Sequence, residues 1–243
     1  MNELKIQNLL ELAYKVQARF LFHLRKRVKI LRRQKIYRVT FYLLGLLVLA
    51  LGITLNTKTG LGVSPIISVP YSISQIWSLN FGNMTLVIYC IFVLAEFLLK
   101  GKNAKIYDIL QIPLAIVFTR FMNLFSNLFD VKLELFWQNM LLLIVAVILT
   151  GVGAAMSLNM RIVPNPGDGI VQAISDFIHK EVGFTKNCFD LFNISITFLV
   201  GMIFRGKLIG IGVGTVVAVI GVGRAVAGFN YLCKDKMDEL SGI

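Results

Sequence analysis

Six stretches of this chain are apolar over about the length a membrane demands: roughly 39–56, 83–100, 106–125, 136–158, 187–204 and 207–230. A helix rises 1.5 Å per residue, so about 20 apolar residues cross the hydrocarbon core. Inside that core every backbone N–H and C=O must be bonded within the protein, which leaves helices as the spanning form for separate runs of this length. The expected fold is therefore all-α and integral to a membrane, with about six spans. Composition agrees: 16 % of residues are charged and mean hydropathy is +0.74, against about 25 % charged in soluble domains. No signal-peptide pattern precedes the first run, which begins near Val39.

The charge is uneven. Residues 1–38 hold eleven Lys/Arg against Glu3 and Glu11, a balance of +9 out of the chain's +12. Leu9, Leu10, Leu12, Ala13, Val16, Phe20 and Leu24 recur there at roughly helical spacing. That pattern predicts an amphipathic helix on an anionic membrane face, with "RKRVKILRRQK" (25–35) as the cytoplasmic anchor of the first span. Because the basic segment abuts a span, nucleic acid is not expected as a partner. The lysines of "KGKNAK" (100–105) place that loop on the cytoplasmic side too. Only one crossing then fits between 56 and 100, and the apolar run 83–99 is the better one. Residues 61–78 should dip in and return, and so, by the same count, should 165–180.

Those two stretches resemble each other. At an offset of 101, Pro65 meets Pro166, Ile73 meets Ile174, Ser74 meets Ser175, Gly52 meets Gly153 and Gly82 meets Gly183. Each half reads as span, broken segment, span, span. Three crossings per half give two inverted repeats, an architecture recurrent in secondary transporters, where broken helices hold the solute near the midplane. The broken elements are "GVSP" with Ser64 and Pro65, and "PNPGDG" with Asn165, Gly167, Asp168 and Gly169. Asn165 or Asp168 can cap the helix that follows. The glycines permit close approach or positive φ.

The pairing of "GLGVSP" with a "PxxGDG"-like element resembles the YczE/YyaS/YitT-type bacterial membrane proteins over about 40–230. That resemblance implies a multi-pass plasma-membrane protein of transporter type and no particular substrate. The group's first-half element carries Pro-Trp-Asp where this chain has Pro65-Ile66-Ile67, which argues against a symmetric two-acid site.

Ionisable groups inside spans are costly and count as functional candidates. Asp190 has Lys186 one turn before it, Glu96 has Lys100 one turn after it, and Asp108 suits a helix start. Arg120 and Arg224 fall at matching places in the third span of each half, and Arg224 sits among small residues that suggest an interior position. Asn56, Asn159, Gln172 and Asn193 can line a polar path or glue helices together. The glycines of 210–228 suit tight packing; they lack the soluble strand and acid of a nucleotide loop. Cys90, Cys188 and Cys233 lie far apart, and His23 and His179 are the only histidines, so no metal, cofactor or disulfide is expected. No catalytic constellation is visible.

The organisation expected is a basic surface segment (1–38), a first membrane repeat (39–128), a second (136–231) and a cytoplasmic tail (232–243). The function expected is movement of a small polar solute by alternating access. The alternatives left open are a substrate-binding subunit of a multi-component importer, and a membrane accessory protein or lipid-modifying enzyme. Expected partners are the bilayer, anionic lipid at the N-terminal segment, the solute and, as an option, a second copy of the chain. An impermeant thiol reagent should label Lys132→Cys from outside intact cells and Lys102→Cys only after permeabilisation. External labelling at 102 would instead make 61–78 a full crossing.

Overall fold

The computed structural model describes the backbone of residues 2–130 and 133–243 and the side chains of residues 30–105, 108–130 and 133–243. Eight α-helices follow one another: α1 Asn2–Lys58, α2 Pro65–Ile76, α3 Phe81–Lys100, α4 Gln111–Leu128, α5 Phe136–Asn159, α6 Pro166–Ile178, α7 Val182–Arg205 and α8 Val213–Ser241. Two 3₁₀ turns, Gly101–Asn103 and Ile106–Leu110, join α3 to α4. Among the described residues, six segments are long and apolar enough to cross a membrane, within α1 from Ile30, and in α3, α4, α5, α7 and α8. The chain is an all-α membrane protein. Helix ends depart from the apolar runs because hydropathy marks depth in lipid, not where backbone bonding stops. α1 has no break at 38/39, and α8 runs through 231 to Ser241. The sixth span, α8, starts at 213 rather than 207, because Gly206 and Gly210 take positive φ (63° and 82°) and turn the chain. The amphipathic stripe expected over 1–38 falls mostly on side chains outside the described residues.

The central contact is the antiparallel crossing of α1 and α5, made through glycines. A Cβ added at Gly52 would lie 2.6 Å from Thr150 Oγ1 and 2.8 Å from the Ala146 carbonyl. One at Gly153 would lie 2.7 Å from the Gly45 carbonyl and closer still to the Leu49 backbone. In lipid no hydrophobic force drives helices together, and small residues let backbones approach for dispersion contact. This crossing carries the offset of 101: Gly52 packs on Thr150, and its image, Gly153, packs on Leu49. The other pairings follow suit. α2 packs on α7 as α6 packs on α3, α1 on α4 as α5 on α8, and α2 on α3 as α6 on α7. The correspondence breaks at the last helix of each half, since α4 lies along α3 whereas α8 lies against α1.

α2 and α6 have 12 and 13 residues. At 1.5 Å per residue they reach about 20 Å, short of the hydrocarbon thickness of about 30 Å. The Lys58 ammonium donates to Ser126 O at 3.1 Å, so α1 and α4 end on one face. From that face, 61–63 turn inward against the start of α8 (Val63 N to Gly210 O, 3.0 Å; Gly214 N to Leu61 O, 2.7 Å). α2 then runs back to the same face, where Arg205 donates to Ile76 O and Trp77 meets Phe204 edge-on. On the opposite face Arg38 donates to Met160 O at 2.7 Å. The Tyr42 hydroxyl donates to Val163 O at 3.0 Å, one turn further in. Pro164, Asn165 and Pro166 then lie beside Leu46, Tyr89 and Phe118, mid-helix residues of α1, α3 and α4. α6 runs back outward and ends at His179, in the left-handed conformation (φ 53°).

Gly153→Val should lower the unfolding temperature of the detergent-solubilised protein, at a cost of about 2 kcal/mol or more from overpacking. Gly228→Ala, where a Cβ meets nothing within 4 Å, should be neutral or stabilising by up to about 1 kcal/mol. Equal effects of the two would remove the crossing from its central place.

Candidate functional site

The two short helices begin alike. Ser64 caps α2 with φ −63° and ψ 149°; Asn165 caps α6 with φ −62° and ψ 142°. Each is followed by proline at the first helical position, whose fixed φ suits a helix start and whose missing N–H would be unbonded there anyway. The residue before proline is held extended, which sharpens both helix starts. Asn165 Oδ1 accepts from Gly167 N at 3.2 Å, so the cap is Asn165, and Asp168 lies inside the first turn. The two starts meet: a Cβ at Gly167 would sit 3.1 Å from Ile66 Cγ2. Neither Gly167 nor Gly169 takes positive φ. Their function is close approach.

A small cavity lies on each side of this meeting point. One is lined by Ile53, Asn56, Val63, Ser64, Ile67, Thr150 and Val222, the other by Tyr42, Leu46, Tyr89, Leu114, Ala115, Phe118 and residues 164–166. Each holds about 10 Å³, room for about one water. Asn56 is 4 % exposed, and its Oδ1 has no protein partner.

The chemistry around the two helices differs. Along α2 it is neutral: buried Ser68 shares a 2.7 Å hydrogen bond with Thr197 of α7. Along α6 it is acidic. Asp168 is flanked by α7, whose Lys186 and Asp190 are the charges that reach it. Lys186 Nζ lies 2.8 Å from Asp190 Oδ2, and Asp190 Oδ1 is buried without a partner. Tyr89 of α3 faces both Asn165 and Asp168. Toward the 100–110 face, Glu96 is fully buried; it pairs with Lys100 and accepts from Gln111 Nε2 at 2.8 Å. Lys100 also meets Asp108 at 3.1 Å. A Cβ at Gly169 would fall 2.6 Å from Glu96 Oε2, so this polar knot packs against bare backbone of α6. Position 169 is Ser68 shifted by 101, and Glu96 shifts to Thr197; the contacts Ser68–Thr197 and Gly169–Glu96 are images of each other.

Of the residues singled out from sequence, Ser64, Pro65, Asn165, Gly167, Asp168, Gly169 and Asp190 fall in this region. Three do not. Arg224 is exposed on α8, whose main neighbours are α5 and α1, so it faces away from the interior position its small neighbours suggested. Those neighbours leave open space at Gly223 and Gly228 instead of enclosing a cavity. Arg120 is exposed and donates to Asn83 Oδ1 at 3.1 Å. Gln172 is exposed and bonds Asp176. Asn159 bonds Asn230, and Asn193 donates to Phe189 O. Sequence reasoning weighed Glu96 with Lys100 but missed Gln111 and Tyr89. The acid in the apolar run was the signal for Glu96, but Lys100 one turn away made it look interfacial.

A model for a family of unknown function, DUF6198, matches residues 36–231. The chain belongs to this family. Among curated proteins it is similar to uncharacterized protein YyaS of Bacillus subtilis (strain 168), at 26 % identity over 184 residues, 74 % of this chain and 85 % of that protein. It is also similar to uncharacterized membrane protein YczE of the same organism, at 25 % over 162 residues, 66 % of this chain and 74 % of that protein. These are the relatives that "GLGVSP" and "PNPGDG" pointed to. No solved structure matches significantly. In this DUF6198 chain the family match takes in all six candidate spans in part or whole and both short helices.

Asn165→Ala should cost about 1 kcal/mol through loss of the cap. Asp168→Asn should cost less, because the dipole contribution it removes is about 0.3–1 kcal/mol. Glu96→Ala, which strands buried Gln111 and Lys100, should cost about 2 kcal/mol. Thermal unfolding in detergent ranks the three, and a larger loss at Asp168 than at Asn165 would reverse the assignment of the cap.

Proposed function

We propose that this protein moves a small polar solute across the membrane by alternating access, through the point where α2 and α6 meet. The observation that carries the reading is the contact of Ile66 with Gly167. There, two half-length helices that enter from opposite faces turn their N-termini toward each other at mid-depth. Pro65 and Pro166 lack an N–H, and those of Gly167, Asp168 and Gly169 are bonded to Asn165; the positive ends of the two helix dipoles favour a partner with acceptor oxygens, and irregular backbone at this depth needs protein or water around it. The paired contacts at an offset of 101 support an inverted repeat, in which two such halves can exchange roles by rocking. The cavities, each about one water in size, correspond in this reading to an occluded state. With Arg224 and Arg120 on the outside, the carboxylates around α6 favour a neutral or cationic solute over an anion.

Accessibility tests this without knowing the solute. In a background with Cys90, Cys188 and Cys233 replaced by Ser, Ser64→Cys should react with an impermeant thiol reagent from the face of the α3 N-terminus. Asn165→Cys should react from the opposite face. Occupying either site should abolish reaction at the other. A permanently closed structural protein would leave both cysteines unreactive, and that result would end the transport reading.

A further inference from the structure

We propose that the cavity at the start of α2 is a subsite for a neutral group that carries a hydrogen-bond donor beside an acceptor, the simplest being a carboxamide, and that Asn56 reads the donor. It rests on the transport reading and names the substrate class of that same site. Asn56 lines this cavity, is 4 % exposed, and has no partner at Oδ1. A buried acceptor without a donor is costly, and folded proteins keep few of them. The shared frame of the two halves does not require it. At an offset of 101 position 56 becomes Ser157, whose hydroxyl donates to Ala154 O at 3.0 Å.

The start of α2 supplies the complementary half. Ser64 lines the same cavity, and no side chain caps the helix. At the equivalent place in α6, Asn165 Oδ1 accepts from Gly167 N at 3.2 Å, so that start is already closed. The open start of α2 presents the positive end of its dipole and calls for an acceptor, while Asn56 Oδ1 calls for a donor. Thr150, also in the lining, does not meet that demand, because its hydroxyl donates to Ala146 O at 2.7 Å. An anion suits the helix end but brings no donor to Asn56. A cation brings the donor but faces the positive end of α2. No charged side chain lines the cavity to offset either one. A carboxamide gives its N–H to Asn56 and its carbonyl to the helix start. Ile53, Val63, Ile67 and Val222 complete the wall against the apolar remainder of the solute. With about 10 Å³ of room, the closed form admits water, which also donates and accepts, and a larger solute enters when α2 and α6 separate.

Three planar molecules of nearly one shape separate the chemistries: acetamide, acetate and acetamidinium. Each is added at matched ionic strength to the purified protein in lipid nanodiscs, and the unfolding temperature is read. A ligand that binds the folded state raises it. The expected result is a rise with acetamide alone, lost in Asn56→Leu. Asn56→Asp keeps the acceptor and adds a negative charge, so the rise should pass from acetamide to acetamidinium, a change that a merely structural role would not produce. Should Asn56→Asp fail to fold, the parent and Asn56→Leu decide. Without any probe, Asn56→Leu should unfold at a higher temperature than the parent, because it removes the orphaned acceptor. A lower temperature or loss of folding there would mean that Oδ1 is already satisfied, and would overturn the subsite. So would a parent that responds to none of the three, which leaves water as the occupant, to acetate or acetamidinium in preference, or to acetamide equally with and without Asn56. A specific rise with acetamide but no sided reactivity at Ser64→Cys and Asn165→Cys would overturn transport and leave the subsite standing.

Discussion

α2 and α6 are too short to cross the layer the other helices build, and lipid offers nothing to bond the ends of a helix that stops partway. Both starts must therefore be buried against protein. The structure achieves this by directing the two at each other and surrounding them with α1, α3, α5 and α7. The proline and extended cap at each start, the glycines at 167 and 169, and the close α1–α5 crossing all serve that burial. Bulk at Gly52 or Gly153 would push α1 and α5 apart and open the walls around both starts.

The two halves share a frame and differ in what they put into it. At equivalent positions, Ser68 meets Thr197 through hydroxyls, whereas Gly169 lies against the buried carboxylate of Glu96. A hydroxyl pair is neutral at any working pH. On the α6 side a buried carboxylate is held by Lys100 and Gln111. The missing first-half acid at Ile66–Ile67 is part of the same asymmetry.

Much of the fold was legible because membrane spans are set by local composition. Six runs, the two interrupted stretches and the offset of 101 could all be read in one dimension. Asp190 with Lys186 was legible as an i,i+4 pair on one helix face. Glu96 was misjudged for a related reason: its pairing with Lys100 is local, but its complete burial comes from Gln111, 15 residues on, and from Gly169, 73 residues on. Arg224 was misjudged because small neighbours look the same whether they enclose a cavity or lie open to lipid.

By itself the sequence determined that the chain is helical, that six segments can span, that two helices are short and where each begins. Those properties follow from runs of side chains and from the covalent geometry of proline and its neighbour. Only tertiary structure decided that the two starts touch, that Glu96 and Asp190 are buried, and that Arg120, Arg224 and Gln172 face outward. Which side of a helix is inward depends on packing partners far away in sequence, and in lipid hydropathy cannot point to that side, because protein-facing and lipid-facing surfaces are equally apolar.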